Sequence, residues 1–183
     1  LDLDTFFVSV ERVLNPELEG KAVVVGGRPG SRGVVTAASY EVRRFGVKSG
    51  MSLVEAGKLA PNAIFLPPRG DTYGEYAERV RDIARRYSPT VLVASIDEMF
   101  LDLSGCERLY GAPNDESEDL AIERAVLELT ASIYDELGLP ASAGLATSKT
   151  MSKVASNLAK PRGVMLVPAG VEAAVLSPLP VRS

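Results

Sequence analysis

Ala94-Ser95-Ile96-Asp97-Glu98-Met99-Phe100-Leu101-Asp102 places carboxylates inside apolar sequence that favours β-structure. Residues 91–103, which contain this stretch, predict a β-hairpin or two linked strands. A second stretch of the same kind, Leu1-Asp2-Leu3-Asp4-Thr5-Phe6-Phe7, predicts the end of a strand over residues 1–3 and a helix over residues 4–14. Charged groups at such positions are costly unless something neutralises them, so both stretches indicate a functional site.

Apolar periodicity in the rest of the chain predicts further short strands and amphipathic helices. The strands cover residues 21–26, 33–38, 64–66, 140–146 and 164–167, and the helices cover residues 39–45, 53–59, 71–87, 120–137 and 148–158. Without the segment from residue 19 to residue 70, the order is strand, helix, helix, two strands, helix, strand, helix, strand. This order predicts an α+β fold, in which a ferredoxin-like core is interrupted by a small inserted α/β subdomain.

The composition excludes several kinds of chemistry. The chain has no histidine, which removes His-based catalytic triads and His-ligated zinc, so catalysis must use carboxylates, lysines, arginines, hydroxyls or metal ions. Cys106 is the single cysteine, so the chain has no internal disulfide, and no apolar run is long enough to span a bilayer. These features predict a cytoplasmic protein without membrane contact. The net charge of −4, taken alone, argues against a nucleic-acid partner.

The carboxylates of Asp2, Asp97 and Glu98 predict a metal site. Hard cations such as Mg²⁺ take oxygen ligands, and carboxylates from two strands could bridge two ions ~3.5–4 Å apart, the separation used for in-line phosphoryl displacement. Strict alternation would place residues 97 and 98 on opposite faces of a strand, so both can bind metal only if the chain bends there. Asp4 stands where a helix N-cap is expected, and we interpret Asp102 as structural.

The first stretch is open to another interpretation. Asp-x-Asp-x-Thr after a strand is also the opening motif of haloacid-dehalogenase-type phosphohydrolases, in which Asp2 would be the nucleophile and Asp4 a general acid. The motif is short, and the rest of the chain has no well-placed downstream acidic motif of that family. A magnesium-dependent phosphohydrolase is therefore one candidate.

Five segments, in this order, resemble the Y-family DNA polymerases of the polymerase IV, or DinB, type. They are Leu-Asp-Leu-Asp-Thr-Phe-Phe-Val-Ser-Val-Glu from residue 1, Ala-Ser-Tyr-Glu-Val-Arg-Arg-Phe-Gly-Val-Lys-Ser-Gly-Met from 38, Ser-Ile-Asp-Glu-Met-Phe-Leu-Asp-Leu from 95, Ser-Ala-Gly-Leu-Ala-Thr-Ser-Lys from 142 and Lys-Val-Ala-Ser-Asn-Leu-Ala-Lys-Pro-Arg-Gly from 153. The resemblance implies a translesion, template-directed DNA polymerase, a nucleotidyltransferase that adds deoxynucleotides to a primer. Beside the phosphohydrolase, the remaining alternative is a non-catalytic, polymerase-like scaffold of the DNA-damage response.

The same resemblance implies a division into domains. Residues 1–18 and 71–177 would form the palm, and residues 19–70 the inserted fingers. Both ends look cut from a longer chain, and residues 178–183 would be a linker toward a thumb domain. The partners implied are primer–template DNA, deoxynucleoside triphosphates and a sliding clamp, the clamp being bound through a segment outside this chain.

The resemblance also assigns residues. Asp2, Asp97 and Glu98 would be the catalytic carboxylates and would bind two Mg²⁺ ions, assisted by the main-chain carbonyl of Leu3. Phe7 would be the steric gate that excludes ribonucleotides by crowding the sugar 2′ position. The nucleotide contacts would come from Phe6, Phe7, Tyr40, Arg43 and Lys160, and the DNA contacts from Lys149 and Lys153.

Each of these side chains also has an ordinary structural interpretation. Phe6 and Phe7 can be core residues, Tyr40 and Arg43 a surface pair, and the lysines a solvated face. Ala37 stands where many relatives have a threonine that contacts the triphosphate, so that contact is not expected in this chain.

Overall fold

A computed structural model of the chain describes residues 1–111 and 117–180. The strands are β1 (Asp2–Leu3), β2 (Val23–Val25), β3 (Ala37–Ala38), β4 (Ile64–Leu66), β5 (Thr90–Val93), β6 (Met99–Asp102), β7 (Ala141–Leu145) and β8 (Val164–Leu166). The helices are α1 (Phe6–Leu14), α2 (Tyr40–Arg43), α3 (Leu53–Leu59), α4 (Gly70–Ala84), α5 (Glu107–Tyr110), α6 (Glu118–Leu137), α7 (Lys149–Ala159) and α8 (Glu172–Leu176), with a 3₁₀ turn at Pro16–Leu18.

The chain divides into two compact units. Unit 1 comprises Leu1–Asp4, Arg79–Glu136 and Pro140–Ser183, and unit 2 comprises Thr5–Glu78 and Leu137–Leu139. The palm and fingers boundaries predicted from the sequence stay a prediction. Residues 181–183 of the predicted linker lie outside the described residues.

The strands of unit 1 lie side by side in one sheet. β1 pairs antiparallel with β7, β7 pairs parallel with β8, and β5 and β6 form an antiparallel hairpin. Backbone hydrogen bonds join the hairpin to the free edge of β1: Leu3 N–H donates to the Asp97 carbonyl, and Asp2 forms an antiparallel bridge with Glu98. The spatial order β5-β6-β1-β7-β8 is that of a ferredoxin-like core with one added strand, which confirms the predicted α+β fold.

The pairing register puts Asp2, Glu98 and Ser142 on one face of this sheet, which we call the polar face. Asp2 lies directly opposite Glu98 on one side and Ser142 on the other, and directly opposed residues of antiparallel strands point to the same face. Gly144 is two residues after Ser142 and therefore faces the same way. The alternate residues, which include Leu3, Met99 and Ala143, point to the opposite face and are buried.

Gly144 brings helix α7 against this polar face. A Cβ at Gly144 would lie 2.0 Å from the Ser152 carbonyl oxygen and 2.4 Å from the Ser156 amide nitrogen, so the helix backbone sits where a side chain would otherwise be. Met151 and Ala155 of α7 form a buried cluster with Val167, just after β8. The Ser148 hydroxyl caps the helix by accepting from Met151 N–H. The lysines of α7 are thereby carried to the face that bears Asp2 and Glu98.

Unit 2 has its own sheet and core. β2 pairs antiparallel with β3 and parallel with β4. Residues of β2, β3, α2, α3 and the segments beside them form a buried cluster that comprises Val24, Val35, Ala38, Val42, Val47, Leu53, Ala56 and Ala60. Ser39 and Ser52 cap α2 and α3 through their side chains, and Ser39 also accepts from Val23 N–H, which ties α2 to the sheet.

Most predicted elements are confirmed, and the differences have local causes. Helix α1 begins at Phe6 rather than at residue 4, because Thr5 adopts a left-handed conformation with φ 45°. Helix α4 ends at Ala84 instead of residue 87, shortly before Pro89. The 3₁₀ turn, α5 and α8 were not predicted, since an element of about one turn shows no periodicity in the sequence.

Cys106 is a buried free thiol, in agreement with the prediction that the chain has no internal disulfide. Among residues 1–111 and 117–180, no helix combines the length and the apolar character that crossing a membrane requires.

Replacing Gly144 with alanine should lower the free energy of unfolding by ~1–3 kcal/mol, because the new methyl group forces α7 away from β7. Urea denaturation followed by circular dichroism measures the change. Gly74→Ala is the matched control, since a Cβ there meets nothing within 4 Å and alanine favours the α4 helix. A Gly144→Ala variant as stable as the parent would show that the helix does not pack this closely.

Candidate active site

On the polar face of unit 1, the carboxylates of Asp2 and Glu98 both contact the ammonium group of one lysine, Lys153. The Lys153 ammonium from α7 donates to Asp2 Oδ2 at 2.5 Å and to Glu98 Oε2 at 2.8 Å. Lys160, the C-cap residue just after α7, donates to the second oxygen of Asp2, Oδ1, at 2.5 Å. Asp2 is only 5% exposed, so two ammonium groups stand where the buried carboxylate most needs opposite charge.

The same contacts change the acidity of Lys153. Burial alone would lower the pKa of this ammonium, but hydrogen bonds to Asp2 and Glu98 outweigh it and hold the pKa above its ordinary value. Lys153 therefore stays charged throughout the neutral range and keeps its full attraction for the two carboxylates.

Asp97 occupies a different position from its neighbour Glu98. It lies in the tight turn between β5 and β6, where Ala94 N–H and Ser95 N–H both donate to the Glu98 carbonyl. The Asp97 carboxylate accepts from the Ser95 hydroxyl at 2.6 Å, while its carbonyl accepts from Leu3 N–H. The chain therefore bends at residue 97, as joint metal binding by Asp97 and Glu98 would require.

The chemistry of Asp2 and Glu98 fits a hard divalent cation. Their oxygens already converge on a single cation, the Lys153 nitrogen, and carboxylate oxygen is the donor that Mg²⁺ and Ca²⁺ prefer. In the part of the chain that the structure describes, no group of three or more His, Cys, Asp or Glu side chains is arranged as a metal site. The structure thus brings Asp2 and Glu98 together, and the participation of Asp97 and the Leu3 carbonyl stays a prediction.

Asp4 is buried and held by donors from two other segments. Its carboxylate accepts from the Ser142 hydroxyl at 2.9 and 3.1 Å and from Arg162 N–H at 2.8 Å. The N-cap position of α1 belongs to Thr5, so the predicted capping role of Asp4 is wrong. Asp4 instead fastens β1 to β7 and to the turn that follows Lys160.

The two phenylalanines that follow Asp4 have different environments within unit 2. Phe6 is 3% exposed and belongs to the core, whereas Phe7 is half-buried and stacks on Tyr73 with ring centroids 4.4 Å apart. The Tyr73 hydroxyl donates to Glu11 at 2.8 Å, and burial together with this bond raises the pKa of Tyr73 to about 12. Sequence reasoning missed Tyr73 as a support for Phe7, because it is one of several aromatic residues on the apolar stripe of α4.

Tyr40 and Arg43 lie beside each other on α2, as their spacing predicts. The Arg43 guanidinium stands 4.8 Å from the centre of the Tyr40 ring and donates to the Ala38 carbonyl. Both side chains are exposed, so a triphosphate could reach them.

The two lysines predicted to contact DNA have different surroundings. Lys149 lies over the Phe100 ring, 5.8 Å from its centre, whereas Lys153 is turned onto the carboxylates. The contact of Lys153 with Asp2 and Glu98 was missed, because the two carboxylates lie in strands far from α7 in sequence.

The chain is similar in sequence to a known protein family and to curated proteins. The profile of the impB/mucB/samB family matches residues 1–157. A DNA polymerase IV from Dehalococcoides mccartyi is 45% identical over 181 residues, which is 99% of this chain and 44% of that protein. A DNA polymerase IV from Streptomyces coelicolor is 45% identical over 183 residues, 100% of this chain and 36% of that protein. The chain thus spans less than half the length of these curated relatives.

Solved structures show the same likeness. The crystal structure of DinB from Sulfolobus solfataricus superimposes with a TM-score of 0.82 and 32% identity, covering 93% of this chain and 48% of that one. The insertion ternary complex of Dbh DNA polymerase gives a TM-score of 0.80 and 31% identity over 92% of this chain and 47% of that one.

An Asp4→Asn variant should lose ~1–3 kcal/mol of stability, because an amide NH₂ group replaces one acceptor oxygen beside the donors of Ser142 and Arg162. Thermal denaturation measures the loss. Asp82→Asn removes the same charge from an exposed pair with Arg85 and should change stability by no more than ~0.5 kcal/mol. Equal melting temperatures for the two variants would argue against a structural role for Asp4.

Proposed function

Because the chain belongs to the impB/mucB/samB family, the Y-family polymerases that its motifs resemble, we propose that it carries the catalytic region of a translesion DNA polymerase. The reaction is template-directed addition of a deoxynucleotide to a primer 3′ end, with two Mg²⁺ ions. In this proposal residues 1–18 and 71–177 form the palm, residues 19–70 the fingers, and residues 178–183 lead toward a thumb.

The observation that carries the proposal is the convergence of Asp2 and Glu98 on one cation position. Bound divalent ions would lower the pKa of the primer 3′-hydroxyl and offset the charge of the leaving pyrophosphate. Asp2 and Glu98 would hold them, with Asp97 and the Leu3 carbonyl completing the coordination. The bend at residue 97 supports this arrangement, because it frees the two adjacent acids from strict alternation.

The nucleotide would be held through its triphosphate and checked at its sugar. Lys160 sits next to Asp2, so its ammonium is placed to bind phosphate oxygens beside the ions. As the resemblance implies, Tyr40 and Arg43, which lie side by side on α2, would also contact the triphosphate through a hydroxyl and a planar guanidinium. Phe7, whose half-buried ring stacks on Tyr73, would press against the sugar 2′ position.

Further partners belong to this proposal. Primer–template DNA would contact Lys149 through its phosphates, with Lys153 a second candidate. A sliding clamp would bind through a part of the protein outside this chain. We place the protein in the cytoplasm, since its single cysteine is a buried free thiol.

The phosphohydrolase alternative is not favoured by the geometry. It needs Asp4 as a general acid next to substrate, but Asp4 is 0% exposed and accepts from Ser142 and Arg162. The convergence of the Asp2 and Glu98 carboxylates on one cation position favours an enzyme over a non-catalytic scaffold.

Glu98→Gln should lower Mg²⁺-dependent nucleotide incorporation by ~10²-fold or more, because the amide removes a charge that would hold the ions. Single-nucleotide primer extension measures the rate, and circular dichroism checks the fold. Glu136→Gln, which removes the same charge from an exposed pair with Arg86, should extend primers at the parent rate. Equal activity of the two variants would exclude Glu98 from the metal site.

Phe7→Ala should raise ribonucleotide incorporation ~10- to 100-fold relative to deoxynucleotide incorporation, because the missing ring opens space at the 2′ position. Parallel primer extension with the two kinds of triphosphate measures the ratio. Phe7→Tyr keeps the ring and should keep the selectivity. A parallel change for both substrates would mean that Phe7 only packs against Tyr73.

A further inference from the structure

Lys153 connects two carboxylates that belong to different strands. Asp2 lies in β1, and Glu98 immediately precedes β6, so the Lys153 ammonium closes the bridge between the two strands on the polar face. Lys160 contacts Asp2 through the other carboxylate oxygen. The two carboxylates and the two ammonium groups balance in charge, and a buried carboxylate needs such opposite charge beside it.

We propose that Lys153 is an internal counter-cation: it occupies the cation position between Asp2 and Glu98 and must withdraw its ammonium when a divalent ion binds there. Lys153 then sets the divalent-ion affinity of the protein by competition. This inference rests on the proposed metal site and adds to it a residue whose part is to hold that site assembled before the ion arrives.

Keeping both the Lys153 ammonium and a divalent ion at these carboxylates would cost free energy. A divalent ion between Asp2 and Glu98 already neutralises their two negative charges, so an ammonium kept at the same oxygens would face a like charge across a few ångströms. The divalent ion and the Lys153 ammonium would also compete for the lone pairs of the same carboxylate oxygens. Competition between the two cations therefore follows from both charge and space.

The position of Lys153 allows the withdrawal. Its side chain is 33% exposed, so the ammonium has a route to water and the flexible four-carbon stem can turn without moving α7. The backbone of α7 is fixed independently of this lysine by its contact with Gly144 and by the Met151–Ala155–Val167 cluster. The carboxylates can thus exchange one cation for another while the helix stays in place.

Mn²⁺ binding measures the competition directly without any turnover. We would titrate the parent protein, Lys153→Met, Lys153→Arg and Lys149→Met with Mn²⁺ and follow free Mn²⁺ by electron paramagnetic resonance. Lys153→Met should bind Mn²⁺ about tenfold more tightly than the parent, because the competing charge is gone. Lys153→Arg keeps the charge, and Lys149→Met removes one on the same helix beside Phe100, so both should bind like the parent.

Melting temperatures add a second readout on the same proteins. In chelator, Lys153→Met should melt below the parent, because Asp2 and Glu98 are left facing each other, and saturating Mn²⁺ should raise its melting temperature more than that of the parent. Equal or weaker Mn²⁺ affinity of Lys153→Met would overturn the counter-cation role. Tighter binding by Lys149→Met to the same degree would also overturn it, since the effect would then be one of general charge.

A measurement on the parent protein covers the case in which Lys153→Met does not fold. Reductive methylation mapped by mass spectrometry reports the access of reagent to each lysine. Labelling of Lys153 should increase with Mn²⁺ while that of Lys58, on helix α3, stays constant. Unchanged labelling of Lys153 in a protein that binds Mn²⁺ would contradict the counter-cation role and leave the proposed metal site intact. Failure of the parent and of every variant to bind Mn²⁺ would contradict both the proposed metal site and the counter-cation role.

Discussion

The contact of Asp2 with Lys153 of α7 and with Lys160, just after that helix, is the interaction on which unit 1 depends. Asp2 lies in a strand that is paired on both edges, and it is almost fully buried. Moving a carboxylate to such a place costs several kcal/mol unless opposite charge and hydrogen bonds compensate. Lys153 and Lys160 supply both.

That compensation is possible only because a helix lies directly on the sheet. Gly144 lets the α7 backbone approach β7 within a distance that any side chain would prevent, and the lysines then project over β1. Asp4, Ser142 and Arg162 hold the end of the same strand to the turn after Lys160. Backbone packing, a buried hydrogen-bond network and ion pairing therefore act together to place one carboxylate pair.

The sequence predicted most helices and strands and the carboxylates of the candidate site, but it did not predict which residues contact those carboxylates. The order of the predicted strands and helices predicted the α+β fold, and the five ordered motifs predicted the family. Asp97 and Glu98 are adjacent, and no periodicity shows that the chain turns between them. The partners of Asp2 and Phe7 come from residues more than sixty positions away, Lys153 and Tyr73, and depend on register and helix packing that local patterns do not encode.

The roles of Asp4 and Gly144 also depend on tertiary contacts that local sequence does not show. Asp4 has the type and position of an N-cap, but its donors lie on β7 and beyond α7, so tertiary hydrogen bonds outweigh the local preference. Gly144 is one glycine among 16 in the sequence, and only the helix above it shows why a side chain cannot stand there.

The central claim is that Asp2 and Glu98 form a cation position that Lys153 holds until a divalent ion replaces it. Anomalous diffraction from crystals grown with and without Mn²⁺ tests it most directly. The account predicts an anomalous peak bridging the carboxylates of Asp2 and Glu98, with the Lys153 ammonium moved away from both. A Lys153 ammonium still bound to Asp2 and Glu98, with Mn²⁺ bound elsewhere or not at all, would contradict it.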